Sequence, residues 1–184
     1  LAVDVGTSYL KAGLIDAKGN IVRSCRSRLR LETDQTGKAE HNVKKLSRLL
    51  LKTLKTTVEG FENRIAAIVP STYIFGLIAL DLRNTPITNL ITLADTRIRS
   101  IANEFKERFD EELIYSRTGI PPTFHTALLK MFWLLKSTGM DPKNAKFLSC
   151  KDYVIFLLTS KILTEPSTAS STGYFNTFTQ CWDE

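Results

Sequence analysis

The chain has 184 residues, of which 43% are hydrophobic and 24% charged, with a net charge of +6. One globular domain is expected, large enough to bury roughly 70% of the surface its unfolded chain exposes. No apolar run approaches the ~20 residues of a membrane span, and the cysteines Cys25, Cys150 and Cys181 show no metal-ligand spacing. Reduced, buried thiols are expected. No signal-like basic and apolar leader opens the chain, so a cytoplasmic setting is the expectation.

Residues 1–5, 10–16 and 20–31 predict three consecutive strands. Between the first two lies Asp4-Val5-Gly6-Thr7-Ser8, with Lys11 three residues on. Gly6 has no Cβ and lets a backbone approach a phosphate. Successive N–H groups of such a turn form an anion-binding concavity. The hydroxyls of Thr7 and Ser8 add donors and Lys11 a positive charge. Asp4 would repel a bare phosphate, so it calls for a Mg²⁺ that retains several waters. The ensemble points to a metal–nucleotide phosphate site on a hairpin. It is neither the Walker loop nor the dinucleotide fingerprint. An ordinary polar hairpin turn is the alternative.

Residues 16–20 form the next turn, with Gly19 at a left-handed position. Residues 32–40 read as a polar loop. Asn42 caps a helix over 43–58 whose apolar face is Val43, Leu46, Leu50, Leu54 and Val58, and Gly60 stops it. The lysines and arginine of this helix, and the arginines at 23, 26, 28 and 30, fall on faces opposite apolar residues. With no interleaved aromatics, they read as solvated faces and not as a nucleic-acid surface. Residues 64–69 predict a strand ended by Pro70-Ser71-Thr72; residues 75–80 and 87–93 predict two more. Residues 95–109, 110–117, 127–136 and 151–159 predict helices, and 147–149 a short strand. This alternation predicts an α/β domain with a mixed sheet.

The Asp4–Ser8 segment resembles the first phosphate motif of the actin, Hsp70 and sugar-kinase superfamily. Three further segments resemble one branch, the FGGY carbohydrate kinases. Ala94-Asp95-Thr96-Arg97 is similar to a Trp-x-Asp-x-Arg motif. Thr118-Gly119-Ile120-Pro121, followed by the helix with Lys130 and Trp133, is similar to a Thr-Gly segment with a Lys-x-x-Trp helix. Thr164-Glu165-Pro166-Ser167-Thr168-Ala169-Ser170-Ser171-Thr172, closing on Trp182-Asp183-Glu184, is similar to a Thr-Asp-x-x-x-Ala-Ser-x-Thr run and its close.

The resemblance implies a ribonuclease-H-like (actin-like ATPase) domain with a mixed five-stranded sheet and flanking and inserted helices. It implies that residues 1–184 are the N-terminal, sugar-binding domain, with a nucleotide-binding domain and the base aspartate downstream. It also implies transfer of the ATP γ-phosphoryl to a carbohydrate hydroxyl, with ATP and Mg²⁺ as cofactors. Asp4 then holds the metal, and Gly6, Thr7, Ser8 and Lys11 bind the phosphates. Asp95, Arg97, Tyr73 and His125 are the substrate-side candidates. Asp95 and Arg97 also read as a helix-start acid beside a surface arginine, and His125 as a half-exposed helix-start residue. Lys130 and Trp133 are expected to pack, and Ser167, Ser170 and Thr172 to cap and turn.

Two departures stand out. Ser71-Thr72-Tyr73-Ile74-Phe75-Gly76 stands where relatives carry a polar Gly-Gln-x-His-Gly segment, and Leu93 where they carry Trp. The segments around residues 149–153 and 171–176 favour gluconate as substrate, with xylulose next. A non-catalytic ATP-binding regulator of the same superfamily is the alternative. Expected partners are a small carbohydrate and the downstream domain, with neither nucleic acid nor membrane; a homodimer is left open.

Overall fold

The computed structural model describes residues 1–183; Glu184, the last residue of the expected closing motif, lies outside the described residues. Strands β1 (Ala2–Val5), β2 (Tyr9–Ile15) and β3 (Ile21–Arg28) form an antiparallel meander, as the sequence predicts. Alternation explains it: Val3, Val5, Leu10, Ala12 and Leu14 are buried, while Asp4 and Lys11 face the other way.

Residues 32–40 are not a plain loop. They hold β4 (Glu32–Thr33) and the first residues of β5 (Ala39–His41), which build an antiparallel sheet with β8 (Leu90–Ile91). Their polar residues give no apolar alternation, so periodicity misses them. Gly37 docks this hairpin on the 94–97 segment. Its φ is +89°, and a Cβ there would meet the Thr96 hydroxyl at 2.2 Å.

Helix α1 (Val43–Val58) is capped by the Asn42 side chain, which accepts from Lys45 N–H, and it lays Val43, Leu46, Leu50 and Leu54 on β2 and β3. The next strand is displaced: a 3₁₀ turn occupies Glu62–Arg64, and β6 runs over Val69–Thr72, through the expected break. Pro70 is tolerated because β6 is the edge strand. Val69 and Tyr73 donate to the Leu1 and Val5 carbonyls of β1, and Pro70 falls at the alternate position facing away. β6 runs parallel to β1, so the sheet is mixed.

That sheet has four hydrogen-bonded strands, in the order β3-β2-β1-β6, and not five. After β6 the chain bends at Phe75, whose φ is +62°. At the adjoining Gly76 a Cβ would stand 3.1 Å from both Cys150 and the Tyr73 ring. Beyond this bend, β7 (Ile78–Asp81) pairs instead with β9 (Ala145–Leu148).

The predicted helix at 95–109 is a 3₁₀ turn, Arg97–Ile101, followed by α2 (Ala102–Arg108). Helices α3 (Glu111–Thr118) and α4 (Ala127–Thr138) follow, capped by Asp110 and Thr126. Helix α5 (Cys150–Thr159) opens on a capping box between Ser149 and Asp152. Helix α6 (Pro166–Ser170) is capped by Glu165. Two cores result: one joins the four-stranded sheet, α1 and α5, and the other joins α2 and α4. Among the described residues no helix is long and apolar enough to cross a membrane.

Candidate functional site

The phosphate-turn candidates lie together on the β1–β2 hairpin. Cross-strand register puts Asp4 opposite Lys11, and the Lys11 ammonium lies 3.2 Å from the Asp4 carboxylate. Both side chains are about half exposed, at 48% and 57%. Thr7 and Ser8 are exposed at the tip. Gly6 serves the turn itself: its N–H donates to the Tyr9 carbonyl at 2.9 Å, and a Cβ would stand 3.1 Å from that oxygen. Its amide is therefore engaged, while the Thr7 and Ser8 hydroxyls and Lys11 are accessible donors around the tip.

This turn is tied to the neighbouring strand end by a residue that sequence reasoning missed. His41, at the end of β5, is wholly buried. Its Nε2 lies 3.0 Å from the Thr7 carbonyl, and its Nδ1 lies 2.8 Å from the Tyr73 hydroxyl. A carbonyl only accepts, so Nε2 carries the proton and donates. Burial pushes the imidazole pKa down, against the Thr7 hydrogen bond. In the neutral ring Nδ1 accepts from Tyr73 O–H. The only signal in sequence is a histidine in a polar run next to a helix cap. Tyr73→Phe removes the proton donated to Nδ1. About 1 kcal/mol of stability loss is expected in urea unfolding, with faster amide exchange around Thr7.

Asp95 and Arg97 are brought together with Glu40, also missed from sequence. Arg97 Nε donates to the Asp95 carboxylate at 3.0 and 3.2 Å, and its Nη2 to Asp95 at 2.6 Å and to Glu40. Asp95 also accepts from Ala39 N–H and Arg97 N–H. The guanidinium covers the Trp133 ring at 4.6 Å from its centroid. Trp133 therefore does more than pack. Two of the substrate-side candidates, Asp95 and Tyr73, are engaged within the chain. Asp95 is fully buried and orients Arg97, and the Tyr73 hydroxyl is spent on His41. What faces outward is the partly exposed edge of Arg97. Nearby, His125 Nδ1 donates to the carbonyl of Leu93, and the Leu93 side chain is exposed.

Lys130 is the second residue with more than a packing role. It is wholly buried, and its ammonium donates to the carbonyls of Phe75 and His125, both at 2.5 Å. Burial lowers its pKa to about 7, with the Asp95 carboxylate opposing that shift. In the hydroxyl-rich α6 segment the expected turn bonds form, Ser170 donating to the Ser167 carbonyl and Thr172 to the Ala169 carbonyl. Ser167, Thr168 and Ser171 share a cavity of about 210 Å³ with Tyr73, Ser149 and Lys151.

A phosphate-type turn on a mixed-sheet α/β domain, next to an oriented arginine–carboxylate cluster, defines an actin-like ATPase domain of the sugar-kinase kind. The family model described as "FGGY family of carbohydrate kinases, N-terminal domain" matches residues 1–184. The chain belongs to the FGGY family of carbohydrate kinases. A gluconokinase of Bacillus subtilis is 30% identical over the whole chain, which corresponds to 36% of that protein's length. The solved gluconate kinase of Lactobacillus acidophilus superposes with a TM-score of 0.90 at 32% identity, over 98% of this chain and 37% of that one. The xylulose kinase of the same species superposes with a TM-score of 0.90 at 31% identity, over 100% of this chain and 39% of that one. The chain thus spans little more than a third of the length of these relatives.

Proposed function

We propose that residues 1–184 form the N-terminal, sugar-side domain of an ATP-dependent carbohydrate kinase. A downstream domain would contribute the adenosine site and the catalytic base. The observation that carries this reading is the Tyr73–His41–Thr7 relay, which ties the phosphate turn to the strand end bordering the candidate substrate side. Two ligand-facing segments held in fixed relation suit phosphoryl transfer, where positioning and charge stabilisation dominate.

Asp4 is a half-exposed carboxylate, and among the described residues no cluster of three His, Cys, Asp or Glu residues forms a metal cage. That donor set suits Mg²⁺ held by one carboxylate, waters and phosphate oxygens. The ion, when bound, neutralises phosphate charge. Lys11, Thr7 and Ser8 bind and orient the phosphates. Arg97, fixed by Asp95 and Glu40 and backed by Trp133, donates to substrate oxygens, and His125 stands beside it. Gluconate is the first substrate assignment, supported by the gluconokinase and gluconate kinase relatives, with xylulose next. An anionic sugar acid also suits a guanidinium donor.

The test uses the full-length protein, meaning this chain joined to its C-terminal domain. ADP release is followed with ATP, Mg²⁺ and a panel of sugars, polyols and sugar acids, alongside thermal shifts. Gluconate-dependent ADP release is expected, and none from residues 1–184 alone. Stabilisation by nucleotide with no response to any carbohydrate would replace this reading with that of a nucleotide-binding regulator.

A further inference from the structure

Strand β3 closes one side of the four-stranded sheet, and among the described residues no strand pairs with its outer edge. All of its residues are exposed except Cys25 and Ser27, which are partly buried. Just past its end, the Leu29 N–H donates inward to the Ser8 carbonyl at 2.9 Å. By alternation, the N–H and C=O groups of Ser24, Arg26 and Arg28 point outward, away from β2. Such a row is a template for a further strand. The opposite edge offers a poorer one, because Pro70 of β6 faces outward there and has no N–H.

The edge is also strongly basic. The segment at 21–30 carries Arg23, Arg26, Arg28 and Arg30, α1 carries five more lysines and arginines, and neither holds an acidic residue. Arg28 and Arg30 are exposed, and among the described residues neither pairs with a carboxylate. Both line a cavity of about 240 Å³, together with Leu29 and with Asn42, Lys45 and Leu49 from the start of α1. Among the described residues no carboxylate lines it. Glu32, which pairs with Lys45 at 2.9 Å, is not part of its wall.

We propose that this edge and cavity bind an extended acidic segment of a partner protein, which joins the sheet as a strand beside β3. Backbone hydrogen bonds at Ser24, Arg26 and Arg28 hold the segment, and its alternate side chains decide which segment fits. Carboxylates opposite Arg26 and Arg28 gain cross-strand charge pairs. One further along enters the cavity beside Arg30 and Lys45. The same arginines repel basic strands, so the edge discriminates by charge. The aromatic rings beside these cations, Tyr9 and Phe61, are covered by arginines and are not open to stack a base, which favours a peptide over single-stranded nucleic acid. The inference does not rest on the kinase reading, and its test involves no turnover.

Fluorescence anisotropy with the full-length protein compares three labelled peptides as long as β3. The first alternates glutamate with threonine, and the second has lysine in place of glutamate. The third repeats the acidic sequence but is N-methylated throughout its backbone, so it cannot donate to a strand edge. A Kd of about 100 μM or tighter is expected for the first, with the other two at least about tenfold weaker. Hydrogen exchange should slow at the Arg26 and Arg28 amides when the acidic peptide binds. Arg28→Ala combined with Arg30→Ala should weaken that peptide by about tenfold or more. Both side chains are exposed, so the fold is retained. Equal affinity for acidic and basic peptides, indifference to N-methylation or to the arginine substitutions, or no saturable binding at all would overturn the proposal. So would a single-stranded oligonucleotide that binds more tightly than the acidic peptide and displaces it.

Discussion

Arg97→Met is expected to lower stability by about 3–5 kcal/mol, because it strips a cation from two carboxylates that have little access to water. For a chain of this size that corresponds to a fall in Tm of roughly 6–20 °C. Asp95 is fully buried, and the Glu40 side chain is only 11% exposed. Neither can recover hydration without opening the 39–41 and 95–97 segments. Arg97→Lys should recover only part of the loss, since a single ammonium cannot span both carboxylates as the fork does. Adding Asp95→Asn to Arg97→Met should restore part of it too, because an amide oxygen still accepts the Ala39 N–H without a buried charge. Urea unfolding of the three variants checks this. A loss below about 1 kcal/mol in Arg97→Met would mean that the cluster behaves as a surface pair.

The cluster also shows what sequence conveys and what it withholds. The hairpin strands were legible because Val3, Val5, Leu10, Ala12 and Leu14 alternate with polar residues, and α1 because its leucines recur at helical spacing under an asparagine cap. The Asp4, Gly6, Thr7, Ser8 and Lys11 turn was legible because its members are neighbours in sequence or one cross-strand step apart. Glu40 and His41 were not. Their partners lie 57 and 34 residues away at Arg97 and Thr7. The short strand that carries them buries polar residues, so no hydrophobic rhythm marks it. Likewise the shift of β6 onto Val69–Thr72 follows from its edge position, a tertiary fact that overrides the local reading of Pro70 as a breaker.

Lys130 and Trp133, three residues apart on α4, lie on one helix face and serve two adjacent segments. Trp133 backs Arg97, and Lys130 ties Phe75 to His125. Phe75 is a bulky residue in the left-handed region, a conformation that persists only where surroundings enforce it. The ammonium bonded to its carbonyl is such an enforcement.

A pH signature follows. The Lys130 pKa is about 7 in the folded chain and near the ordinary lysine value, about 10.4, when unfolded. Between those values the unfolded chain holds the extra proton, so raising the pH from about 7 stabilises the fold; below about 7 both states are protonated and the slope vanishes. Lys130→Met removes this component. It also leaves the Phe75 and His125 carbonyls without their donor, at about 1–3 kcal/mol each. The stability difference between the unaltered protein and Lys130→Met should therefore widen by about 2–3 kcal/mol between about pH 7 and pH 9, at about 1.4 kcal/mol per unit. Taking the difference cancels the tyrosines and other lysines that titrate in the same window. Denaturant unfolding across that range reads it directly. A difference that stays level with pH would place the Lys130 ammonium in an environment far wetter than the one between Phe75 and His125. The tie between the two segments would then owe nothing to a desolvated charge.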